Sequence, residues 1–320
     1  MASVQAVVAA GGVEASRVLA SVEERMAALA GSHGPALAHH ARATISAGGK
    51  RLRPLLVCLA SGVPVAENDG VVRSAVAVEL IHAATLVHDD VLDGSSLRRG
   101  RPTVVAVGGR LMATATGDLL FSRAFAELAA GGSIDAVRIL SRAVSGLAAG
   151  ELMQRADAWE LNVSRERYLE RCRLKTAVLF RGACELGALH GDGPVAGLGR
   201  FGESIGLAFQ LLDDVLDVTG PPERTGKPRG ADLLDGTVTL PLIEALAVDQ
   251  ELHRIDLRRV RTAEDAAALC GRIAATGALE VARAQALALV AEAKAALPQL
   301  PEAQRSALEL VADGVVERYS

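Results

Sequence analysis

The chain has 320 residues and a formal net charge of −4, and 50% of its residues are apolar while only 2% are aromatic. No long run of Lys and Arg is present, so nucleic-acid binding is not expected. The four cysteines are scattered without a Cys-x-x-Cys pair, so neither a disulfide framework nor a zinc site is indicated. The core must be built mainly from Ala, Leu and Val, a composition that favours helices.

Helical periodicity extends along nearly the whole chain, and short clusters of Gly and Pro interrupt it. About ten helices are predicted between these breaks. Four of them carry the residues discussed below, at 71–93, 134–157, 165–189 and 194–218. No segment alternates with the period of two that marks a strand, so we predict an all-α fold in a single domain over residues 1–320.

The N-terminal segment contains several charged residues and lacks the basic start and apolar block of a signal peptide. No uninterrupted apolar run reaches the roughly 18 residues that a membrane-spanning helix needs. These patterns predict a cytoplasmic protein without stable membrane insertion.

An Asp-Asp-x-x-Asp pattern occurs twice, near the C-terminal ends of two predicted helices. The first aspartate cluster is Asp89, Asp90 and Asp93, and the second is Asp213, Asp214 and Asp217. In each cluster the spacing of four places the first and last carboxylates on one helix face. Their neighbours are apolar, unlike those of a solvated acidic surface.

The carboxylates within each cluster repel one another and lie at the negative end of the helix dipole, so a cation must compensate them. Mg²⁺ is typically held by a few carboxylates together with waters and substrate phosphates. The six aspartates are therefore predicted to bind Mg²⁺. One copy of the pattern would be a weak motif, whereas two copies in one chain are specific.

Basic residues lie beside the breaks in the helical pattern, where they could hold a metal-bound diphosphate. They are Lys50 and Arg53 after two glycines, Arg98 and Arg99 after the first aspartate cluster, Lys175 beside Thr176, and Lys227 in the loop after the second cluster. His82 precedes Asp89 by about two helical turns on nearly the same face. Each residue alone is typical of an ordinary surface or core group, and only their joint arrangement indicates a site.

These motifs, in their order along the chain, resemble those of trans-isoprenyl diphosphate synthases, the polyprenyl synthetase family. The matching segments are Gly-Gly-Lys-Arg-Leu-Arg-Pro from residue 48, Glu-Leu-Ile-His-Ala-Ala-Thr-Leu-Val-His-Asp-Asp-Val-Leu-Asp from 79, Arg-Arg-Gly-Arg-Pro-Thr from 98, Gly-Asp from 117, Glu-Leu-Met-Gln from 151, Lys-Thr-Ala from 175, Phe-Gln-Leu-Leu-Asp-Asp-Val-Leu-Asp from 209, Gly-Lys-Pro from 226 and Thr-Leu-Pro from 239. The resemblance implies a homodimer with an isoprenoid-synthase-type helical bundle around a central cavity, and aspartate clusters that face each other across its mouth.

The resemblance also implies a role for each site residue. Asp89, Asp93 and Asp213 correspond to first-rank magnesium ligands, which Asp90, Asp214 and Asp217 assist directly or through water. Arg98, Lys175, Thr176, Gln210 and Lys227 correspond to residues around the allylic substrate, and Lys50, Arg53, His82 and Arg99 to residues that hold isopentenyl diphosphate. The implied catalytic set is Asp89, Asp90, Asp93, Asp213, Asp214, Lys175 and Lys227.

The implied activity is chain elongation: Mg²⁺ and the cations stabilise the departing diphosphate, and isopentenyl diphosphate attacks the resulting allylic carbocation. One position departs from the pattern, because Thr237 stands where the family often has Lys, which puts one phosphate contact in doubt. Ala84 and Thr85 precede Asp89 by five and four residues. In farnesyl-making relatives an aromatic residue at one of these places blocks elongation. The two small side chains favour a medium or long product, with geranylgeranyl second.

Two other functions stay open. A class I terpene cyclase shares the first aspartate motif, although such cyclases usually carry a different second motif and a cavity rich in aromatic residues. The chain could also be the catalytic subunit of a heteromeric polyprenyl synthase that needs a partner for activity.

Overall fold

The computed structural model describes residues 12–31, 34–46, 49, 51–63, 68–220 and 228–317. Within these ranges the chain forms fourteen α-helices and one two-stranded hairpin, so the all-α prediction is confirmed. The helices are α1 (Gly12–Ala30), α2 (Pro35–Ser46), α3 (Leu52–Ser61), α4 (Asp69–Leu92), α5 (Val104–Ala130), α6 (Ile134–Asp157), α7 (Arg165–Cys172), α8 (Val178–His190), α9 (Val195–Thr219), α10 (Ala231–Leu234), α11 (Leu240–Val248), α12 (Ala263–Ala274), α13 (Ala278–Ala295) and α14 (Glu302–Glu317). The strands are β1 (Leu97–Arg98) and β2 (Arg101–Pro102).

The predicted helix boundaries agree closely with the structure in three cases. The helix predicted at 134–157 has the bounds of α6, and those at 71–93 and 194–218 differ from α4 and α9 by one or two residues. The fourth helix, predicted at 165–189, is interrupted by a π-helical turn at Arg173–Ala177. Such a turn inserts one extra residue into the helix and often marks a functional site.

The chain divides into two compact units. The first contains the residues up to Val144 together with Leu179–Gly202 and Leu297–Val311. The second contains Ser145–Val178, Glu203–Ala296 and the residues from Ala312 onward. The single domain over residues 1–320 therefore stays a prediction.

In the first unit, α4 packs against α1, α3 and α5. Both α4 and α5 are long and apolar enough to cross a membrane by length and composition, contrary to the expectation from uninterrupted apolar runs. Two thirds of the apolar window of α4 (67%) is buried inside the protein, against 33% for α5. A helix that is apolar on nearly all sides is typical of a core position, and burial accounts for the composition of α4.

In the second unit, α11 packs against α7, α12 and α13. The buried Arg171 of α7 contacts Asp157 at the end of α6 and donates to the carbonyl of Val238. The backbone N–H of Trp159 donates to the Gly236 carbonyl at 2.8 Å. These bonds fix the segment before α11 against α6 and α7.

Candidate active site

The first aspartate cluster closes the C-terminal end of α4. The helix ends at Leu92, and the Asp93 N–H donates to the Asp89 carbonyl at 2.8 Å. Asp90 is buried, at 5% exposure, and its Oδ1 accepts from Nε and Nη2 of Arg98, each at 2.8 Å. Asp89 is partly exposed and Asp93 is exposed. A cation thus holds the middle carboxylate inside the protein, while the outer two carboxylates reach solvent.

The hairpin that follows this cluster delivers Arg98 and Arg99. Its two-residue turn, Arg99-Gly100, has φ values of 52° and 73°, as a type I′ turn requires. The Arg99 Nη1 lies 3.3 Å from the position that a Cβ on Gly49 would take. The turn therefore brings Arg99 next to the glycine-containing segment that precedes α3.

Sequence analysis did not single out Arg51. This buried residue directly precedes α3 and binds the neighbouring helices. Its backbone is left-handed, with a φ of 46°, at the start of α3. Its guanidinium donates to Glu23 of α1 at 2.5 Å, to Glu79 of α4 at 2.6 Å and to the carbonyl of Ile45 at 2.9 Å. A buried guanidinium with this many partners fixes the start of α3 against α1 and α4.

Arg53 and His82 lie beside Arg51. The Arg53 guanidinium is 4.7 Å from the ring centroid of Phe180, and its buried Nε makes no hydrogen bond to the residues that the structure describes. Loss of contact with water lowers the pKa of Arg53 to about 10, so it stays cationic at neutral pH. Burial, followed by the charges of Arg53 and Arg99, lowers the pKa of His82 well below its ordinary value, so His82 is neutral. An orphaned guanidinium N–H beside further arginines suits a phosphate ligand.

His88, directly before Asp89, packs against α5. Its Nε2 lies 3.4 Å from the Thr114 carbonyl and 3.5 Å from Oδ1 of Asp118. A Cβ on Gly117 would lie 2.2 Å from this nitrogen. The sequence assigned no specific role to the Gly-Asp pair at 117 and 118. In the structure this pair packs against His88, the residue directly before the metal-ligand candidate Asp89.

The second aspartate cluster lies near the C-terminal end of α9. Asp214 is buried, at 3% exposure; its Oδ2 accepts from the Tyr168 hydroxyl at 2.6 Å and its Oδ1 from Nε2 of Gln210 at 2.7 Å. Burial raises the pKa of Asp214 to about 8, with a further contribution from Asp232. Asp213 and Asp217 are partly exposed. The Oδ2 atom of Asp217 accepts the backbone N–H of Asp232 at 3.2 Å.

The π-helical turn presents Lys175 and Thr176. Gly150 of α6 lies so close to it that a Cβ there would be 2.6 Å from the backbone nitrogen of Lys175. Next to Gly150, Glu151 binds the Lys175 ammonium at 2.5 Å and Arg155 at 2.8 Å. Burial opposes the ionisation of Glu151, but Lys175 and Arg155 outweigh it and lower its pKa. Thr176 Oγ1 donates to Gln210 Oε1 at 2.7 Å.

The candidate residues fall into two groups. The first unit holds Asp89, Asp90, Asp93, Arg53, His82, Arg98 and Arg99, and the second holds Asp213, Asp214, Asp217, Lys175, Thr176 and Gln210. Lys50 and Lys227 lie outside the described residues, so their roles stay predictions.

The exposed carboxylates suit a metal ion that is held only in part by the protein. In the described parts of the chain, no group of three or more His, Cys, Asp or Glu side chains is arranged to hold a metal on its own. The outer aspartates of each cluster nevertheless offer accessible oxygen ligands. This donor set fits Mg²⁺, which usually takes only one or two carboxylates and completes its shell with waters and substrate phosphates.

An all-helical fold with paired aspartate clusters and buried cations defines a protein of the isoprenoid-synthase type. The chain belongs to the polyprenyl synthetase family, whose sequence model matches residues 35–270. The family resemblance and the predicted enzyme class, a prenyltransferase, are both confirmed.

Similar proteins differ in the chain length that their names state. The heptaprenyl diphosphate synthase component 2 of Geobacillus stearothermophilus is 43% identical over 72% of this chain and 72% of its own length. A geranylgeranyl diphosphate synthase of Methanosarcina mazei is 35% identical over 87% of this chain and 88% of its own. The crystal structure of a polyprenyl synthase from Caulobacter crescentus, complexed with calcium and isoprenyl diphosphate, has a TM-score of 0.87 at 38% identity and covers 99% of this chain and 98% of that one.

Proposed function

We propose that this polyprenyl synthetase condenses isopentenyl diphosphate with an allylic diphosphate in a Mg²⁺-dependent reaction and releases a longer polyprenyl diphosphate. The matched construction of the two aspartate clusters carries the proposal. In each, the middle carboxylate is buried and bound by protein donors, while the outer two are accessible. We infer that both clusters act in the same reaction and that Asp89, Asp93, Asp213 and Asp217 hold the metal.

Different cationic side chains among the described residues bind the two substrates. Bound Mg²⁺ would neutralise the charge that develops on the departing diphosphate. Arg98 and Lys175 hold the allylic diphosphate, and Arg53 and Arg99 hold the diphosphate of the isopentenyl substrate. Neutral His82 donates a ring N–H without adding a charge.

The reaction then proceeds without a protein nucleophile. The carbon–oxygen bond of the allylic diphosphate breaks and its electron pair leaves with the diphosphate. The double bond of isopentenyl diphosphate attacks the allylic carbon, and the released diphosphate takes the proton that is lost. The protein supplies orientation and fixed charges, which are the larger part of catalysis in such sites.

For product length, we propose a medium or long chain, with geranylgeranyl as the second choice. Ala84 is fully buried on α4, and the Thr85 hydroxyl donates to the His82 carbonyl at 2.8 Å. Both side chains are small, so neither forms an aromatic barrier one turn below Asp89. Ala84→Phe should shorten the product, and Ala84→Ser should leave it unchanged. Equal product lengths for both variants, by chromatography, would remove position 84 from the wall of the product site.

We also propose a homodimer. Leu111 on α5 is 86% exposed and Val107, one turn earlier, is also exposed, as expected of a face covered by a second copy. The second candidate is a catalytic subunit of a heteromeric synthase, which is favoured by the name of the Geobacillus relative, component 2. Light scattering on pure protein, together with its activity alone, separates the two.

Incubation of the pure chain with farnesyl diphosphate, labelled isopentenyl diphosphate and Mg²⁺ tests the function. We expect elongated prenyl diphosphates with Mg²⁺ and none with a chelator. A cyclic hydrocarbon without elongation would identify a cyclase instead. No product from a protein that still binds its substrates would point to a missing partner subunit.

A further inference from the structure

Tyr168 lies outside every motif that marks the site, yet it is bound to the second aspartate cluster. It is fully buried on α7. Its hydroxyl donates to Oδ2 of Asp214 at 2.6 Å. Loss of a hydrogen bond between a buried hydroxyl and a buried carboxyl group is costly, because neither group has water as an alternative partner.

From Asp214 the hydrogen bonds continue to the π-helical turn. The Tyr168 hydroxyl occupies one oxygen of the Asp214 carboxyl group, and the other oxygen accepts from the amide nitrogen of Gln210 at 2.7 Å. This fixes the amide so that its oxygen faces Thr176, whose hydroxyl donates to it at 2.7 Å. The chain Tyr168–Asp214–Gln210–Thr176 therefore has a defined direction at every link.

The other side of the same turn is fixed by α6. The close approach of Gly150 to the backbone of Lys175 leaves no room for a side chain, and Glu151 holds the ammonium. The turn that carries Lys175 and Thr176 is thus supported by packing on one side and by the hydrogen-bonded chain on the other. Tyr168 is one end of that chain of hydrogen bonds, and Thr176 is the other.

We propose that Tyr168 is a positioning residue for the allylic diphosphate: through Asp214 and Gln210 it holds Thr176 and Lys175 in the orientation that binds the substrate. Both carboxylate oxygens of Asp214 are occupied by protein donors, which assigns this residue to the same positioning chain. The inference rests on the proposed function, because it deepens the account of one substrate site.

The test uses full-length Tyr168→Phe, which removes one hydroxyl and keeps the ring. With farnesyl diphosphate as the allylic probe, its KM should rise about tenfold, since the buried hydrogen bond that orients Asp214 is lost. The KM for isopentenyl diphosphate should stay unchanged, because the hydrogen bonds that start at Tyr168 lead to residues assigned to the allylic substrate. Calorimetric binding of farnesyl thiolodiphosphate with Mg²⁺, an analogue that does not ionise, should weaken by a similar factor.

Ser164→Ala is the matched control. Ser164 caps the start of α7, where its Oγ accepts the Arg167 N–H at 3.2 Å, so its loss weakens the same helix and leaves the chain of hydrogen bonds intact. It should lower Tm without changing the KM for farnesyl diphosphate.

Any of three results would overturn the inference. Tyr168→Phe could change only Tm, or it could raise the KM values for both substrates equally. Alternatively, Ser164→Ala could reproduce the kinetics of Tyr168→Phe. If the wild type binds the analogue with Mg²⁺ but elongates nothing, the proposed function fails, while the binding comparison still tests Tyr168.

Discussion

The two aspartate clusters have the same sequence pattern but are stabilised by different chemistry. In the first cluster, the buried Asp90 is neutralised by the cation of Arg98. In the second, the donors to the buried Asp214 among the described residues are neutral, namely Tyr168 and Gln210, and burial raises the pKa of Asp214 to about 8.

The comparison indicates how such a pattern works. The middle aspartate fixes the helix end to a neighbouring element, namely the hairpin for Asp90 and α7 for Asp214. The outer aspartates stay accessible to a metal ion and substrate. The three aspartates of each motif are therefore not equivalent: the middle one is structural, and the outer two are candidate metal ligands.

The largest expected effect is on kcat, and it should be greater for substitutions of the outer aspartates than for those of the middle ones. Asp89→Asn and Asp213→Asn should each lower kcat about a thousandfold, because several kcal/mol of charge stabilisation in the transition state are lost. Asp90→Asn and Asp214→Asn should cost only about tenfold. Steady-state kinetics at saturating Mg²⁺ measures both. Equal losses at middle and outer positions would contradict the distinction.

The next largest effect should distinguish Gly150, which packs against the π-helical turn, from Gly117, which packs against His88. Gly150→Ala would force a Cβ onto the backbone of Lys175, and a displacement of this turn by about 1 Å should lower kcat/KM for the allylic substrate about a hundredfold. For Gly117→Ala the nearest atoms to the new Cβ belong to the His88 side chain, which can rotate, so a few-fold loss is expected. If Gly117→Ala is the more damaging variant, the π-helical turn is not the sensitive element.

A third prediction concerns stability. Asp90→Asn leaves the Arg98 guanidinium without its carboxylate and should lower the free energy of unfolding by about 2 kcal/mol. Asp214→Asn keeps a polar group among neutral donors and should cost about 1 kcal/mol or less. Denaturant titration of both variants without Mg²⁺ provides the comparison. The reverse order would contradict the assignment of charged and neutral partners.

The smallest effect is a pH dependence confined to the second cluster. The pKa of Asp214 is raised from 3.8 to about 8 in the folded state. Its contribution to stability is therefore complete below about pH 4 and is lost as the pH rises towards 8. Without Mg²⁺, the Tm of the wild type should fall relative to Asp214→Asn across this range. A constant difference would mean that Asp214 ionises as an ordinary carboxyl group.

Much of the fold was predictable because helical periodicity and Gly/Pro breaks are local signals. They gave the all-α class and the bounds of α4, α6 and α9 within one or two residues. The π-helical turn was not predictable, because it arises where α6 approaches closely at Gly150, a tertiary contact that periodicity does not record.

Site residues were predictable where they belong to a short sequence motif. They were not predictable where their contacts join residues that are far apart in the sequence. The aspartates, Arg98 and Lys175 belong to short motifs. Arg51 was missed because its partners, Glu23 and Glu79, each lie 28 residues away. Tyr168 was missed because its partner Asp214 is 46 residues away. Only the fold brings such pairs together.

Joint action of the two clusters can be measured by a double-mutant cycle on Mg²⁺-dependent binding of farnesyl thiolodiphosphate, with Asp89→Asn, Asp213→Asn and the double variant. If both clusters serve one metal-bound diphosphate, each single variant should lose most of the binding, and the double variant should be little worse than either. Additive losses, or a single variant that binds as well as the wild type, would contradict joint action of the two clusters.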